Sequence, residues 1–145
     1  MEILTVKAEQ VAEHLNISPS TFYRRCNAGY YGKKYTYPGQ GKYRLGFTVE
    51  DVGVVLFFNF FASLGVSEEV IEASIPTFTA YLYEPGWMAA LNTDKRTRTE
   101  GLHLQGASDG IARYDLTRGS GTNLIMRIPL TFFYEEAEKV FNNCV

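Results

Sequence analysis

Polar and basic side chains that suit contacts with a nucleic acid are concentrated between Ser18 and Arg44. From His14 to Val49 the chain has six Lys or Arg and no Asp or Glu, although the whole protein of 145 residues carries a net charge of −2. A local field of one sign on an otherwise acidic protein favours a polyanionic partner, and we expect double-stranded DNA. The candidate DNA-binding residues are Ser18, Ser20, Thr21, Tyr23, Arg24, Arg25, Asn27, Lys33, Lys34, Lys42 and Arg44.

The first seven of these residues belong to a predicted helix-turn-helix. The spacing of apolar residues predicts a helix over Val6–Leu15, with Thr5 as its N-cap. A second helix is predicted over Pro19–Asn27, with Ser18 as the N-cap and a proline at the first helical position. Asn16 lies between them and tolerates the left-handed conformation that a tight turn needs. Two short helices joined by a three-residue turn are typical of this motif.

In a helix-turn-helix the second helix presents its N-terminal and outward side chains to the major groove. Phe22 is predicted to point inward, against the first helix. Arg24 suits a guanine edge or a phosphate, and Asn27 suits adenine. Ser18, Ser20 and the N-terminus of the helix suit a phosphate.

The segment Tyr30–Phe47 is predicted to be a β-hairpin around the Pro-Gly-Gln-Gly turn at residues 38–41, because its aromatic and apolar residues alternate. A basic hairpin directly after a recognition helix is typical of a wing that contacts phosphates or the minor groove. The cations of this wing are Lys33, Lys34, Lys42 and Arg44. A solvated hairpin whose lysines protect a strand edge is the alternative.

Beyond the hairpin, Thr48 is predicted to cap a helix that is apolar on nearly every side from Val52, and Gly65 ends it. Such a helix must be covered by the C-terminal half or by a second subunit. Ser67 is predicted to cap a further short helix that ends before Pro76.

The second half of the chain is predicted to form a small antiparallel sheet with one helix. The predicted strands are Phe78–Tyr83, Trp87–Leu91, Leu102–Leu104, Ala112–Leu116 and Leu124–Leu130, and the helix is Thr131–Asn142, capped by Thr131. A turn is predicted at Asp109 and Gly110. The fold class is therefore α+β: an N-terminal winged helix-turn-helix over residues 1–75, then a small α+β dimerisation or effector domain over residues 76–145.

Four stretches of the first half resemble the mercury-resistance-regulator (MerR) type of winged helix-turn-helix. They are LTVKAEQVAEHLNISPSTFYRR from Leu4, GKYRL from Gly41, FTVEDV from Phe47 and LGVSEEVI from Leu64. The resemblance implies a winged DNA-binding module with Tyr23 and Arg24 on the recognition helix and Arg44 on the wing. Phage excisionases share this module. The long dimerisation helix of the family is not expected here, because Pro76 interrupts the chain and no heptad pattern follows. Metal-sensing members carry several cysteines at the end of that helix, whereas this chain has only Cys144 there, so metal sensing is not implied.

The remaining residues indicate a binding protein rather than an enzyme. His103 and Asp109 are close in sequence, but no set of nucleophile, base and orienting residue is present. The two cysteines, Cys26 and Cys144, predict neither a disulfide framework nor a metal site, and no cofactor is expected. The N-terminus lacks the pattern of a signal peptide, and the apolar run is too short for a bilayer, so a cytoplasmic protein without membrane contact is expected.

The sequence therefore predicts a sequence-specific DNA-binding protein, a bacterial or phage transcription regulator that acts as a homodimer. Two alternatives stay open. One is an excisionase-like or packaging accessory protein that uses the same module for assembly on DNA. The other is a ligand-gated regulator, in which Trp87 and nearby tyrosines of the C-terminal half line a pocket for a small-molecule effector.

Overall fold

The structure, a computed structural model, describes residues 5–31, 46–92, 101–118 and 124–144. The described part of the chain is mixed α and β, with five helices and two antiparallel sheets. In chain order its elements are β1 (Val6–Lys7), α1 (Ala8–His14), α2 (Pro19–Ala28), β2 (Gly46–Phe47), α3 (Val49–Ser63), α4 (Glu68–Tyr81), β3 (Trp87–Asn92), β4 (Leu102–Gly106), β5 (Asp115–Arg118), β6 (Leu124–Pro129) and α5 (Leu130–Cys144). The α+β fold class with a C-terminal helix is confirmed.

The prediction of a single helix over Val6–Leu15 with Thr5 as N-cap is wrong at its start. Val6 and Lys7 form a short strand whose register partners are Phe47 and Gly46. The helix begins only at Ala8, because Lys7 is extended and its N–H donates to the side chain of Gln10 at 3.2 Å. Pairing with a strand 40 residues away in sequence overrides the local helical pattern.

The turn and the second helix follow the prediction closely. Asn16 has a φ of 57°, which is the left-handed conformation expected of it. Ser18 caps α2, and Gly29 ends the helix with a φ of 81°. Phe22 is fully buried and lies edge-on or tilted against neighbouring rings, including that of Phe47 in β2 at 5.6 Å between centroids. The side chain that was predicted to point inward does so.

Helix α3 forms the centre of the molecule. It begins with a reciprocal cap in which the Thr48 hydroxyl accepts from the Asp51 N–H, while Asp51 accepts from the Thr48 N–H. Phe57 is fully buried, and its ring stacks on that of Phe78 in α4, at 4.4 Å, and meets that of Phe133 in α5 edge-on, at 5.4 Å. Elements of the C-terminal half of the same chain therefore cover the apolar helix, one of the two ways in which its burial was expected.

Two predictions around Pro76 are wrong. Helix α4, capped by Ser67 as expected, runs through Pro76 and ends at Tyr81, so it does not stop before the proline. The strand predicted over Phe78–Tyr83 is instead the end of this helix and the turn that follows it. An internal proline loses one backbone hydrogen bond and strains the turn before it. Burial of Ile71, Ile75 and Phe78 along one side of α4 offsets that loss.

The second sheet has the strand order β4-β3-β6-β5, with all neighbours antiparallel. Strands β3 and β6 lie where Trp87–Leu91 and Leu124–Leu130 were predicted. The predicted strand over Ala112–Leu116 is wrong in its position, because β5 starts at Asp115. The preceding residues instead form a loop, in which Ala112 donates to the carbonyl of Pro85 at 2.8 Å. The turn at Gly110 is confirmed, with a φ of 77°.

One hydrophobic core runs through the described residues, from Val6 in β1 to Phe141 in α5. The predicted division into residues 1–75 and 76–145 places its boundary inside α4, and side chains on both sides of that boundary share this core. Within the described ranges, no helix has the length and apolarity needed to cross a membrane.

Candidate nucleic-acid interface

Helix α2 presents most of its candidate DNA-binding residues to solvent. Ser18, Ser20, Arg24 and Asn27 are exposed, and Thr21 and Tyr23 are partly buried. The opposite side of the helix carries Phe22 and Cys26, both buried in the core. Burial of that apolar side fixes the rotation of the helix and hence which side chains point outward.

The N-terminus of α2 is held by a small hydroxyl cluster. The Oγ of Ser18 accepts from the N–H of Thr21 at 3.3 Å and donates to its Oγ1 at 2.9 Å. The hydroxyl of Ser20 lies 3.5 Å from that of Ser18. A phosphate at this end of the helix would meet the remaining N–H groups and the Ser20 hydroxyl, because the Ser18 oxygen already caps the helix.

Two adjacent arginines of α2 converge on one carboxylate of α4. Arg24 forms a bidentate pair with Glu68, with both N–O distances at 2.9 Å. The Nε of Arg25 donates to Glu68 at 3.0 Å. Glu68 is the first residue of α4, where the helix dipole also favours its negative charge. Hydrogen bonds from Arg24, and secondarily from Arg25, hold the pKa of Glu68 below its usual value.

Arg25 faces the protein interior rather than the outer face of α2. Its side chain is 11% exposed, whereas that of Arg24 is 55% exposed. The guanidinium lies 5.0 Å from the ring centroid of Phe58 and donates to the Tyr31 hydroxyl at 3.3 Å. The cation of Arg25 is therefore engaged on three sides, by Glu68, Tyr31 and Phe58, and this placement disfavours the DNA contact predicted for it.

Two of the six cations predicted for the interface can be placed on the described residues. Of the six cations between His14 and Val49, only Arg24 and Arg25 lie within the described residues, and both pair with Glu68. The four candidate wing residues, Lys33, Lys34, Lys42 and Arg44, lie outside the described residues. The outer face of α2 is therefore polar with one accessible cation, Arg24.

An open cleft of about 410 Å³ between α1 and α2 is bordered by Glu9, Glu13 and Tyr23. Both glutamates are exposed. Their charges oppose a phosphate at this side of the helix pair. The side of α2 that suits an anion is consequently the one that carries Ser20 and Arg24.

Glu68 is the residue of this site that the sequence did not reveal. An acidic residue is favoured at the start of a helix by the helix dipole, so the sequence gives no reason to expect that Glu68 has a partner in α2. It lies 44 residues from Arg24 in sequence, and no local spacing relates the two. The available signal was the adjacency of two arginines in a short amphipathic helix. Neighbouring positions of a helix point in different directions, so only one of the two arginines can be fully outward and the other needs a partner nearer the core.

The C-terminal half shows packed aromatic residues where an effector pocket was considered. The Trp87 ring stacks on Tyr81 at 3.8 Å between centroids, so each covers a face of the other. Asp109 pairs with Arg113 at 2.7 Å and accepts from the N–H of Ile111 at 3.1 Å. In the ranges that the structure describes, no three His, Cys, Asp or Glu residues are grouped closely enough to hold a metal ion.

Comparison with protein-family models, with curated proteins and with solved structures gives no match to this chain.

Proposed function

We propose that the protein is a sequence-specific DNA-binding protein, acting as a homodimer in bacterial or phage transcription regulation. The observation that supports this most is the pair of helices α1 and α2, joined by a short turn at Asn16. The second helix buries Phe22 and exposes Ser20, Arg24 and Asn27. That arrangement suits insertion of the exposed side into a major groove.

Some of the described side chains would position the helix on DNA, and others would recognise the base sequence. Ser20 and the N-terminus of α2 would contact phosphate and fix the register of the helix on the duplex. Arg24 and Asn27 would contact base edges, Arg24 preferring guanine and Asn27 preferring adenine. The sequence adds Lys33, Lys34, Lys42 and Arg44, whose charges would add sequence-independent affinity.

Glu68 competes with DNA for the guanidinium of Arg24. Arg24 must release its bidentate pair before it can present the same two nitrogens to a guanine edge. The exchange is feasible because the Arg24 side chain is 55% exposed to water, where ion pairs contribute little. Arg25 stays on Glu68 and compensates its charge while Arg24 turns outward.

A salt titration tests the proposal. Fluorescence anisotropy is measured with a labelled random duplex of about 20 base pairs, which corresponds to two turns of DNA, and with single-stranded DNA of the same length. We expect preference for the duplex and a log–log salt slope near about −5 if about six phosphates are neutralised. A slope near zero, or equal affinity for single strands, contradicts duplex binding through the helix and the wing.

A second candidate is an excisionase-like or packaging accessory protein that uses the same module for assembly on DNA. The exposed apolar side chains of Tyr114, Leu116 and Leu124, in and beside β5, favour an assembly role. Light scattering separates the two candidates, since an assembly larger than a dimer favours the accessory protein.

A further inference from the structure

Strand β5 has a free edge in the described part of the chain. It pairs with β6 on one side only and is the last strand in the order β4-β3-β6-β5. An edge strand presents backbone N–H and C=O groups that are ready to pair with another strand. Natural edges are protected by short strands, charged side chains, prolines or bulges; β5, with the sequence Asp-Leu-Thr-Arg, is short and carries one acid and one base, but it has no lysine or proline.

One face of this edge is unusually apolar for solvent-exposed sheet. Tyr114 is 66% exposed, Leu116 is 59% exposed, and Leu124, opposite Arg118 in β6, is 39% exposed. The Tyr114 hydroxyl lies 3.9 Å from the sulfur of Met126, the register partner of Leu116. These side chains form a continuous strip at the outer end of the sheet face, and such strips mark interaction sites.

The other face of the edge is occupied within the chain. Arg127 donates from the same nitrogen to Asp115 at 3.0 Å and to Thr117 at 2.9 Å. Asp115 and Thr117 are both only partly exposed. A partner strand would therefore gain apolar contacts on the Leu116 face and meet satisfied polar groups on the Arg127 face.

We infer that β5 pairs antiparallel with β5 of a second copy about a two-fold axis centred on Leu116. An axis perpendicular to the sheet keeps the faces matched, so opposite residues must have positions of the same parity. Centring on Leu116 places the two Leu116 side chains together, Tyr114 opposite Arg118, and Asp115 opposite Thr117. The two four-stranded sheets become one continuous sheet.

This register is chemically self-complementary. The Leu116 pair excludes water at the centre, and the Arg118 guanidinium meets the face of a tyrosine ring. No like charges stand opposite each other. Centring on Thr117 instead would place Leu116 opposite Arg118 and lose both favourable contacts. The inference rests on the homodimer of the proposed function, and it requires no contact with DNA.

Sedimentation equilibrium without DNA tests the interface, so that its failure is separate from a failure of DNA binding. Because the pairing strands are short, we expect a monomer–dimer equilibrium with a dissociation constant of about micromolar order. Leu116→Asp should leave only monomer. Arg118→Glu should weaken the dimer at least about tenfold by removing the contact with tyrosine. Leu64→Asp is the control, because Leu64 is similarly exposed, at 50%, but lies at the end of α3.

Disulfide trapping tests the register in a Cys144→Ser background, in which Cys26 remains buried. Leu116→Cys should cross-link two copies, because opposite Cα atoms lie about 5 Å apart, within disulfide range. Thr117→Cys should not, because its two Cα atoms would be about 8 Å apart after a shift of two residues. A wild-type monomer at all concentrations, a dimer unaffected by Leu116→Asp, or cross-linking through position 117 alone would overturn the inference.

Discussion

Arg24 and Arg25 are neighbours in sequence with the same charge, yet they have different surroundings. Arg24 projects along the outer side of α2, and Arg25 packs over Phe58. A shift of one position turns a helical side chain by about 100°. Both arginines contact the carboxylate of Glu68, but the Arg24 side chain is exposed to solvent and that of Arg25 is mostly buried.

Glu68→Gln should strengthen DNA binding. The substitution removes the charge that competes for Arg24 and leaves a neutral side chain of the same shape. We expect affinity for duplex DNA to rise up to about fivefold, which corresponds to an ion-pair contribution of up to about 1 kcal/mol. Glu69→Gln is the matched control, because Glu69 makes the same charge change one residue later in the first turn of α4. Equal gains for both variants would show that only net charge matters.

The same carboxylate gives a pH-dependent contribution to stability. Because Arg24 and Arg25 lower the pKa of Glu68 in the folded state, its stabilisation is fully present above its usual value of 4.5. The contribution is lost as the pH falls through the lowered folded-state pKa. Urea unfolding of the wild type and Glu68→Gln should therefore differ at pH 7, and the difference should shrink as the pH falls below 4.5 and through the lowered folded-state pKa. A difference that grows on acidification would contradict the ion pair.

At the scale of elements, the sequence predicted the starts of three helices correctly, because a helix cap depends only on residues close together in the chain. Ser18, Thr48 and Ser67 each cap the helix that was expected to follow, since a capping side chain contacts a backbone N–H only three residues away. Pro76 misled the prediction because the burial of α4 against the core compensates for the proline. Strand β1 was missed because its partner is distant in sequence.

Two glycines in helical segments should respond oppositely to alanine. Gly53 lies inside α3, where an added Cβ would meet the Cβ of Ala137 at 3.7 Å, an ordinary contact. Gly53→Ala should therefore raise the free energy of unfolding by about 0.5–1 kcal/mol. Gly29 has a φ of 81° at the end of α2, so Gly29→Ala should lower the free energy of unfolding by about 1 kcal/mol. Denaturant unfolding of both variants checks the pair, and destabilisation by Gly53→Ala would indicate a tighter α3–α5 interface.

At the scale of the whole molecule, the sequence predicted that α3 must be covered but not how. Its phenylalanines indicate burial, and only the tertiary structure shows that rings from α4 and α5, such as Phe78 and Phe133, surround Phe57. The candidate site, too, was predictable only in part. Helical periodicity predicted the outward Ser20, Arg24 and Asn27, whereas the contact with Glu68 depends on how α4 returns to α2.

Selection of bound sequences from a random duplex pool tests most directly whether α2 contacts bases. Wild-type protein should enrich one consensus, with two-fold symmetry if two copies bind together. Arg24→Ala should lose the preference at one position of each half-site, while Glu68→Gln, which disrupts the same ion pair but keeps the cation, should retain the full consensus. The absence of any consensus with the wild type, or an unchanged consensus with Arg24→Ala, would contradict the proposed role of Arg24 in base recognition.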